Sequence, residues 1–336
     1  MPETVSVLIS NPYALPYVEA IAAVDPRVRA LPVYTPTDSP NSDDWPKAEG
    51  AALDALLAEA EVILGWAPAA EWLDKMPHLK WLQLSSAGAD RVIKAGLFDR
   101  RPDLLLTTAS GVHEIPISEH ILAAILHFSR GFYRAVRNQP LHKWERFTAG
   151  EAEGHTVCFI GYGPIARRAS ALCKAVGMKA VAVRASLLEQ QPGFEAIDRF
   201  YPLSDLNEAI AMADYVVVAA PHTPTSERMI GPAQFAAMKP TAVLVNISRG
   251  ALVDEPAMTD ALKEGRIAGA ALDVFVQEPL PPASPLWDLP NVLITPHNAG
   301  SNPRYDERVV ELFCGNLSRY LRGETLKNLV IKERGY

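Results

Sequence analysis

At 336 residues the chain has room for about two domains of roughly 150 residues each, large enough to need no disulfide or metal staples. Apolar residues at 49% and charged residues at 21% exclude a disordered, collagenous or coiled-coil protein. A net charge of -7, from 32 basic and 39 acidic side chains, argues against binding nucleic-acid phosphates, and no apolar run approaches the ~20 residues that cross a bilayer.

From the N-terminus, short apolar runs alternate with helical stretches. The spacing predicts strands at Val5–Ile9, Val62–Gly65, Leu79–Leu84 and Leu104–Thr107, with helices at Ala14–Ala23 and Ala51–Ala60. That alternation predicts a parallel sheet covered by helices on both faces. Trp45, in the polar stretch Thr35–Trp45, reads either as a wall aromatic like Trp66, Trp81 and Trp287 or as a cap over a substrate. A long helical pattern, Pro116–Arg134, follows. A second set of strands is predicted at Thr156–Ile160, Ala180–Val183, Tyr215–Ala219, Ala242–Asn246, Ala268–Asp273 and Val292–Ile294. Their continuous hydrophobicity marks strands buried on both faces. A last helix is predicted over Arg304–Leu321, and periodicity leaves open which of the two α/β units it joins. Cys158, Cys173 and Cys314 are odd in number and far apart, so a disulfide framework is not expected. The start, Met-Pro-Glu, lacks the basic region of a signal peptide. Both features point to a reducing cytoplasm.

The stretch 155–168, HTVCFIGYGPIARR, runs a buried strand into Gly161-Tyr162-Gly163 and then a helix. The first glycine permits a tight turn, and the second lets a pyrophosphate approach the backbone. The helix N-terminus adds N–H donors and partial positive charge. Ala166 stands for the third small residue of this dinucleotide fingerprint. Roughly 20 residues on, the fingerprint expects an acid on the ribose 2′-hydroxyl. The second strand ends instead in Arg184, followed by Ala185 and Ser186. An arginine there suits a 2′-phosphate, which it can grip with two N–H donors. The expected cofactor is therefore NADP(H), held by Arg184 and Ser186, with NAD(H) as second choice. The alternative is an Arg184 that stacks on the adenine or points to solvent.

Three further stretches each follow a predicted strand: NISRGALVD (246–254), ALDVF running on to Glu278, and TPHNAG (295–300). Their polar residues fall where open α/β sheets bind ligands, beyond the C-terminal strand ends. Arg249, Glu278 and His297 beside a dinucleotide supply the parts needed to reduce a 2-keto acid. The guanidinium holds the carboxylate and polarises the ketone. The imidazole gives a proton to the forming alkoxide, and the glutamate keeps that imidazole protonated.

Together, GYGPIA (161–166), PHTPTSERMI (221–230), NISRGALVDEPA (246–257), ALDVFVQEP (271–279) and TPHNAG resemble the D-isomer-specific 2-hydroxyacid dehydrogenase family. The resemblance covers nearly the whole chain. It implies a Rossmann cofactor domain inserted into a flavodoxin-like substrate domain, both doubly wound parallel sheets. The substrate domain would be 1–108 plus 303–336, and the dinucleotide-binding domain 109–302. It implies Arg249, Glu278 and His297 as the catalytic trio and Asp273 near the nicotinamide carboxamide. Gly161, Gly163, Pro164 and Ile165 would lie at the pyrophosphate. Ala220, Pro221, Ser226, Ile247 and Ser248 would line the cofactor groove. The stretch LSSAG (84–88) resembles the family's substrate loop, with Ser86, Ala87 and Gly88 holding the carboxylate. Domain closure would exclude water and bring that loop toward Arg249 and His297. The family is usually dimeric, so a homodimer with a small 2-keto or 2-hydroxy acid as its partner is expected.

Other readings carry less. His113, His120 and His127 are seven residues apart, about 10.5 Å along a helix and too far for one metal ion. They read as one helix face, and no metal is expected. G-x-S-x-G and the P-loop motif are both missing, which excludes a serine hydrolase of that type and a P-loop nucleotidase. The rival from another class is a dinucleotide-sensing corepressor on the same fold, separated from an enzyme by whether 2-keto acids consume reduced cofactor. Which 2-keto acid is used, and in which direction, stays open.

Overall fold

Twelve strands, paired in parallel, make two separate sheets in the computed structural model, which describes residues 4–35, 47–66, 68–185 and 194–332. The chain divides into two units: Met1–Val112 with Asn302–Tyr336, and His113–Ser301. Trp45 and Ser186 lie outside the described residues. Among the described residues no helix is long and apolar enough to cross a membrane.

The first unit holds β1 (Val5–Ile9), β2 (Val28–Pro32), β3 (Val62–Gly65), β4 (Trp81–Leu84) and β5 (Leu105–Thr107) in the order β2-β1-β3-β4-β5. This is the flavodoxin-like doubly wound order. Every residue of β1, β3 and β4 is buried, Ser6 and Gln83 included, as expected of central strands covered on both faces. The sequence reading missed β2, an edge strand whose burial is mixed and whose sequence, VRALP, shows neither alternation nor a pure apolar run. The helix expected at Ala14–Ala23 is a 3-10 turn, Pro12–Tyr17, followed by the short α1 (Val18–Ala22). Pro16 supplies no amide donor, so the α-helix starts beyond it. The helices α2 (Gly50–Glu59), α3 (Ala70–Asp74), α4 (Asp90–Lys94) and α5 (Leu97–Arg100) complete the crossovers.

The second unit opens with α6 (Glu114–Ser129) and α7 (Phe132–Asn138). The single helix expected over Pro116–Arg134 is broken at Gly131, whose φ of 66° only glycine adopts at no cost. Then come β6 (Thr156–Ile160), α8 (Pro164–Ala175), β7 (Lys179–Arg184), β8 (Arg199–Pro202), α9 (Leu206–Ala211), β9 (Tyr215–Val218), α10 (Pro232–Ala237), β10 (Val243–Asn246), α11 (Glu255–Lys263), β11 (Gly269–Leu272) and β12 (Val292–Ile294). The sheet order β12-β11-β10-β9-β6-β7-β8 is the Rossmann order with one added edge strand. The edge strand β8, RFYP, was also missed, because only Tyr201 of its four residues is buried.

The last helix, α12 (Tyr305–Leu321), belongs to the first unit. Val309, Val310, Phe313 and Leu317 join its core, and the Phe313 ring stacks on Trp81 at 5.2 Å. A buried polar chain fixes the docking. Asn316 Nδ2 donates to Gln83 Oε1 at 3.1 Å, Thr107 Oγ1 donates to the same oxygen at 2.8 Å, and Trp81 Nε1 donates to Thr107 at 2.8 Å. Asn316 Oδ1 in turn accepts the Lys327 N–H at 2.8 Å. Such a chain tolerates one register only, since a shift would leave buried polar groups unpaired.

Candidate active site

The order of the seven-stranded sheet reverses at β6 and β9, and the chain leaves these neighbours through Gly161 and Ala220. Gly161 has φ of 89°, and a Cβ there would lie 2.6 Å from the Ala220 Cα, so any other residue would push the two loops apart. Gly163 precedes the first turn of α8, with nothing within 4 Å of the position a Cβ would take. Pro164 opens the helix, where its missing N–H costs nothing. Ala166 is fully buried, so the helix seats close to the sheet. Ile165 packs partly against the same core, and Ile247 is buried in it. The Ser248 hydroxyl donates to the Ala220 carbonyl, tying the loop after β10 to the loop after β9. Ser226 uses its hydroxyl within its own loop, donating to the Pro221 carbonyl and accepting the Thr223 N–H, each at 2.8 Å. It thereby fixes the loop at Pro221.

Arg184 ends β7 with its guanidinium 5.3 Å from the Phe194 ring centroid and 6.0 Å from that of Phe200. Its Nη1 is buried and has no hydrogen-bond partner among the described residues. A buried donor left unmatched costs about 1–3 kcal/mol, more when charged. Open space over a helix N-terminus and an orphaned guanidinium nitrogen at the next strand tip both fit a phosphorylated dinucleotide.

The other polar residues are set by backbone locks. The Asn246 side chain accepts the Ser248 N–H and donates to the Arg249 carbonyl, each at 3.1 Å, while Arg249 Nη1 donates to the Ser248 carbonyl at 2.8 Å. A Cβ on Gly250 would sit 2.0 Å from the Phe275 carbonyl carbon, so the arginine loop passes against the segment that leads to Glu278. Asp273 is buried. Its Oδ1 accepts from the Thr295 hydroxyl at 2.5 Å and the Asn298 N–H at 3.0 Å, and its Oδ2 accepts the Ala299 N–H at 3.0 Å. His297 lies between these anchors with φ of 53°, a strained conformation for a residue with a side chain. Its Nδ1 meets Glu278 Oε2 at 2.7 Å, and Glu278 Oε1 accepts the Phe275 N–H at 3.0 Å. Burial alone would raise the Glu278 carboxyl. The His297 hydrogen bond, the Phe275 amide and the charges of His297 and Arg249 outweigh it, so the group falls below the ordinary carboxylate range. Arg249, Glu278 and His297 are thus within electrostatic reach of one another. Ser86, Ala87 and Gly88 belong to the first unit, directly after β4, where Ser86 Oγ donates to the Gly88 carbonyl at 2.9 Å.

One residue near the trio, His113, reads from the sequence only as part of a helix face. His113 caps α6, and a Cβ on Gly300 would meet its Cδ2 at 2.6 Å, so the imidazole rests on the backbone three residues past His297. Burial, with the charges of Arg249 and His297, pushes it down to about 4. One helix turn pair further, burial lowers His120, and the Asp273 carboxylate partly offsets it. Among the described residues no group of three metal-binding side chains occurs.

Residues 122–299 match the family described as D-isomer specific 2-hydroxyacid dehydrogenase, NAD binding domain. The chain is 33% identical over 278 residues to a glyoxylate reductase of Korarchaeum cryptofilum, covering 79% of this chain and 80% of that protein. It is 31% identical over 263 residues to a D-3-phosphoglycerate dehydrogenase of Methanocaldococcus jannaschii, covering 77% of this chain but spanning 48% of that longer protein. A solved D-isomer specific 2-hydroxyacid dehydrogenase from Xanthobacter autotrophicus Py2, in complex with NADPH and MES, superposes with a TM-score of 0.83 at 25% identity, covering 99% of this chain and 100% of that one. The fold and its glycine turn define an NAD(P)-dependent oxidoreductase. The chain belongs to the D-isomer specific 2-hydroxyacid dehydrogenase family.

His113 gives this unit an acid-sensitive stability. Between roughly pH 4 and 6.5 the unfolded chain binds a proton there that the folded chain does not, so stability present above that window is lost as pH falls through it. Urea unfolding at about pH 7 and about pH 4.5 should show His113→Gln losing less stability on acidification than the parent, by up to about 3 kcal/mol. Identical acid losses in the two proteins would mean that the imidazole titrates as if solvated.

Proposed function

We propose that the protein reduces a 2-keto acid to the D-2-hydroxy acid, reversibly, with NADPH as the preferred donor. The observation that carries the reaction is the 2.7 Å contact of His297 Nδ1 with Glu278. With Nδ1 engaged, His297 has Nε2 left to protonate the oxygen that becomes the alkoxide. Glu278, anionic through the working range, stabilises the imidazolium that gives that proton up. Arg249 pairs with the substrate carboxylate and polarises the ketone. In the first unit, the Ala87 and Gly88 N–H groups donate to no protein acceptor among the described residues, which suits them and Ser86 to a carboxylate. Bound cofactor supplies the hydride. Gly161, Gly163, Pro164 and Ile165 would take its pyrophosphate. Ala220, Pro221, Ile247 and Ser248 would line its groove, and Asp273 Oδ2, with one partner, has acceptor capacity left for a carboxamide.

Arg184 supports NADPH over NADH, as does the NADPH held by the Xanthobacter autotrophicus relative. A kcat/KM comparison over a panel of 2-keto acids should favour NADPH. Arg184→Ala should reduce that preference by about 10- to 100-fold, the worth of one or two charge-assisted hydrogen bonds. A parent enzyme that prefers NADH overturns the phosphate clamp. For the chemistry, His297→Ala should lower kcat by roughly 10²–10⁴-fold and leave the NADPH Kd unchanged. Glu278→Gln should move the alkaline limb of the reduction profile to lower pH, because the protonated imidazole loses its anionic partner. An unmoved limb would contradict the pairing.

A homodimer is the second part of the proposal. Helix α7 buries none of its residues, and Leu141 and Trp144 beyond it are 72% and 93% exposed. Apolar side chains presented this way suit a face covered by a second copy. Light scattering should return twice the chain mass, and Trp144→Asp should lower it toward one chain. A monomeric parent protein refutes the dimer.

A further inference from the structure

The N–H, hydroxyl oxygen and carbonyl of Ser85 are each engaged by a different part of the first unit. Its N–H donates to the Gly65 carbonyl at 2.7 Å, at the tip of β3. Its hydroxyl accepts from Asn11 Nδ2 at 3.1 Å, just past β1. Its carbonyl accepts the phenol of Tyr305, the first residue of α12, 220 positions further along the chain. Ser85 and Asn11 are completely buried. Asn11 is itself fixed, since its Oδ1 accepts the Tyr13 N–H at 3.0 Å. The next carbonyl, that of Ser86, accepts the Ala109 N–H at 2.9 Å. Immediately afterwards the pattern stops, and the Ala87 and Gly88 amides are left without protein acceptors among the described residues.

We propose that Tyr305 is a positioning residue for substrate binding: it fixes the peptide plane after Ser85 and thereby aims the Ala87 and Gly88 amides at the substrate carboxylate. This rests on the reading of residues 86–88 given above. A carbonyl held from outside the strand cannot rotate, so the torsions leading to the next two amides are set before any ligand arrives. Amides preset in this way bind an anion without the cost of ordering them. Burial and the neighbouring Asp306 push the Tyr305 phenol above its ordinary value, so it remains a donor throughout the working range. The C-terminal return into the first unit thus places a hydrogen-bond donor at the substrate loop as well as completing a core.

Tyr305→Phe keeps the ring and removes the donor. In the full-length protein, we expect KM for glyoxylate and pyruvate to rise about tenfold, with kcat changed less than about threefold and the NADPH Kd unmoved. Amide hydrogen exchange over residues 85–88 should quicken by at least about tenfold, a readout that needs no turnover. Asn316→Ala serves as the control, because it loosens α12 from Gln83 at another point and should lower stability without raising KM. The positioning role is overturned if Tyr305→Phe leaves both exchange and KM at parent values, or if Asn316→Ala raises KM as much. Ala87→Pro separates this inference from its premise. If that variant raises KM and Tyr305→Phe does not, Tyr305 has no positioning role and the loop remains the carboxylate site. If neither raises KM, residues 86–88 do not bind the carboxylate and both ideas fall.

Discussion

A buried carboxylate holds the backbone on which the proposed acid-base residue sits. Asp273 receives the Thr295 hydroxyl and the Asn298 and Ala299 amides, while its own carbonyl accepts the His297 N–H at 2.8 Å. Those bonds surround a left-handed residue that would otherwise relax, at a strain of order 1–3 kcal/mol. Release of His297 from that conformation would turn its imidazole away from Glu278. The pair at 2.7 Å therefore depends on a carboxylate that belongs to neither partner. A carboxylate is suited to this work because one oxygen can accept two donors and still leave the other oxygen free to bind a third group.

His113 adds a second constraint on the same backbone. Its ring takes the space that a side chain on residue 300 would need, so the glycine of TPHNAG is required by a helix cap nearly two hundred positions earlier in the chain. Held neutral by burial and by Arg249 and His297, the ring adds no positive charge beside the Arg249 guanidinium.

The sequence made the central strands legible because each is a short, predominantly apolar run, and the glycine turn because strand, Gly-x-Gly and helix occur in that order. The edge strands β2 and β8 were not legible, since an edge strand with mixed burial, such as VRALP or RFYP, carries no clean period. Helix boundaries failed where proline or a left-handed glycine intervened, at Pro16 and Gly131. The residues of the trio were visible as chemistry beyond strand ends. The groups that hold them were harder to see. Asn246 and His113 act through backbone atoms or packing, as Tyr305 does within the first unit, and no residue-type pattern marks a side chain whose partner is a backbone group.

The two units solve the same problem in the same way. In each, a strand ends, a buried polar group engages the backbone for one or two residues, and the atoms proposed to meet the substrate follow at once. Asn246 closes β10 and holds Arg249 by its carbonyl; Ser85, saturated by Gly65, Asn11 and Tyr305, leads to the Ala87 and Gly88 amides. A hydrophobic core can fix where a strand tip lies, but it exerts no torque on a peptide plane just outside it. Hydrogen bonds to the carbonyl do, because their geometry depends on that plane's orientation. Direction at a strand tip thus comes from polar locks, and these are the side chains whose loss should alter substrate affinity before it alters the fold.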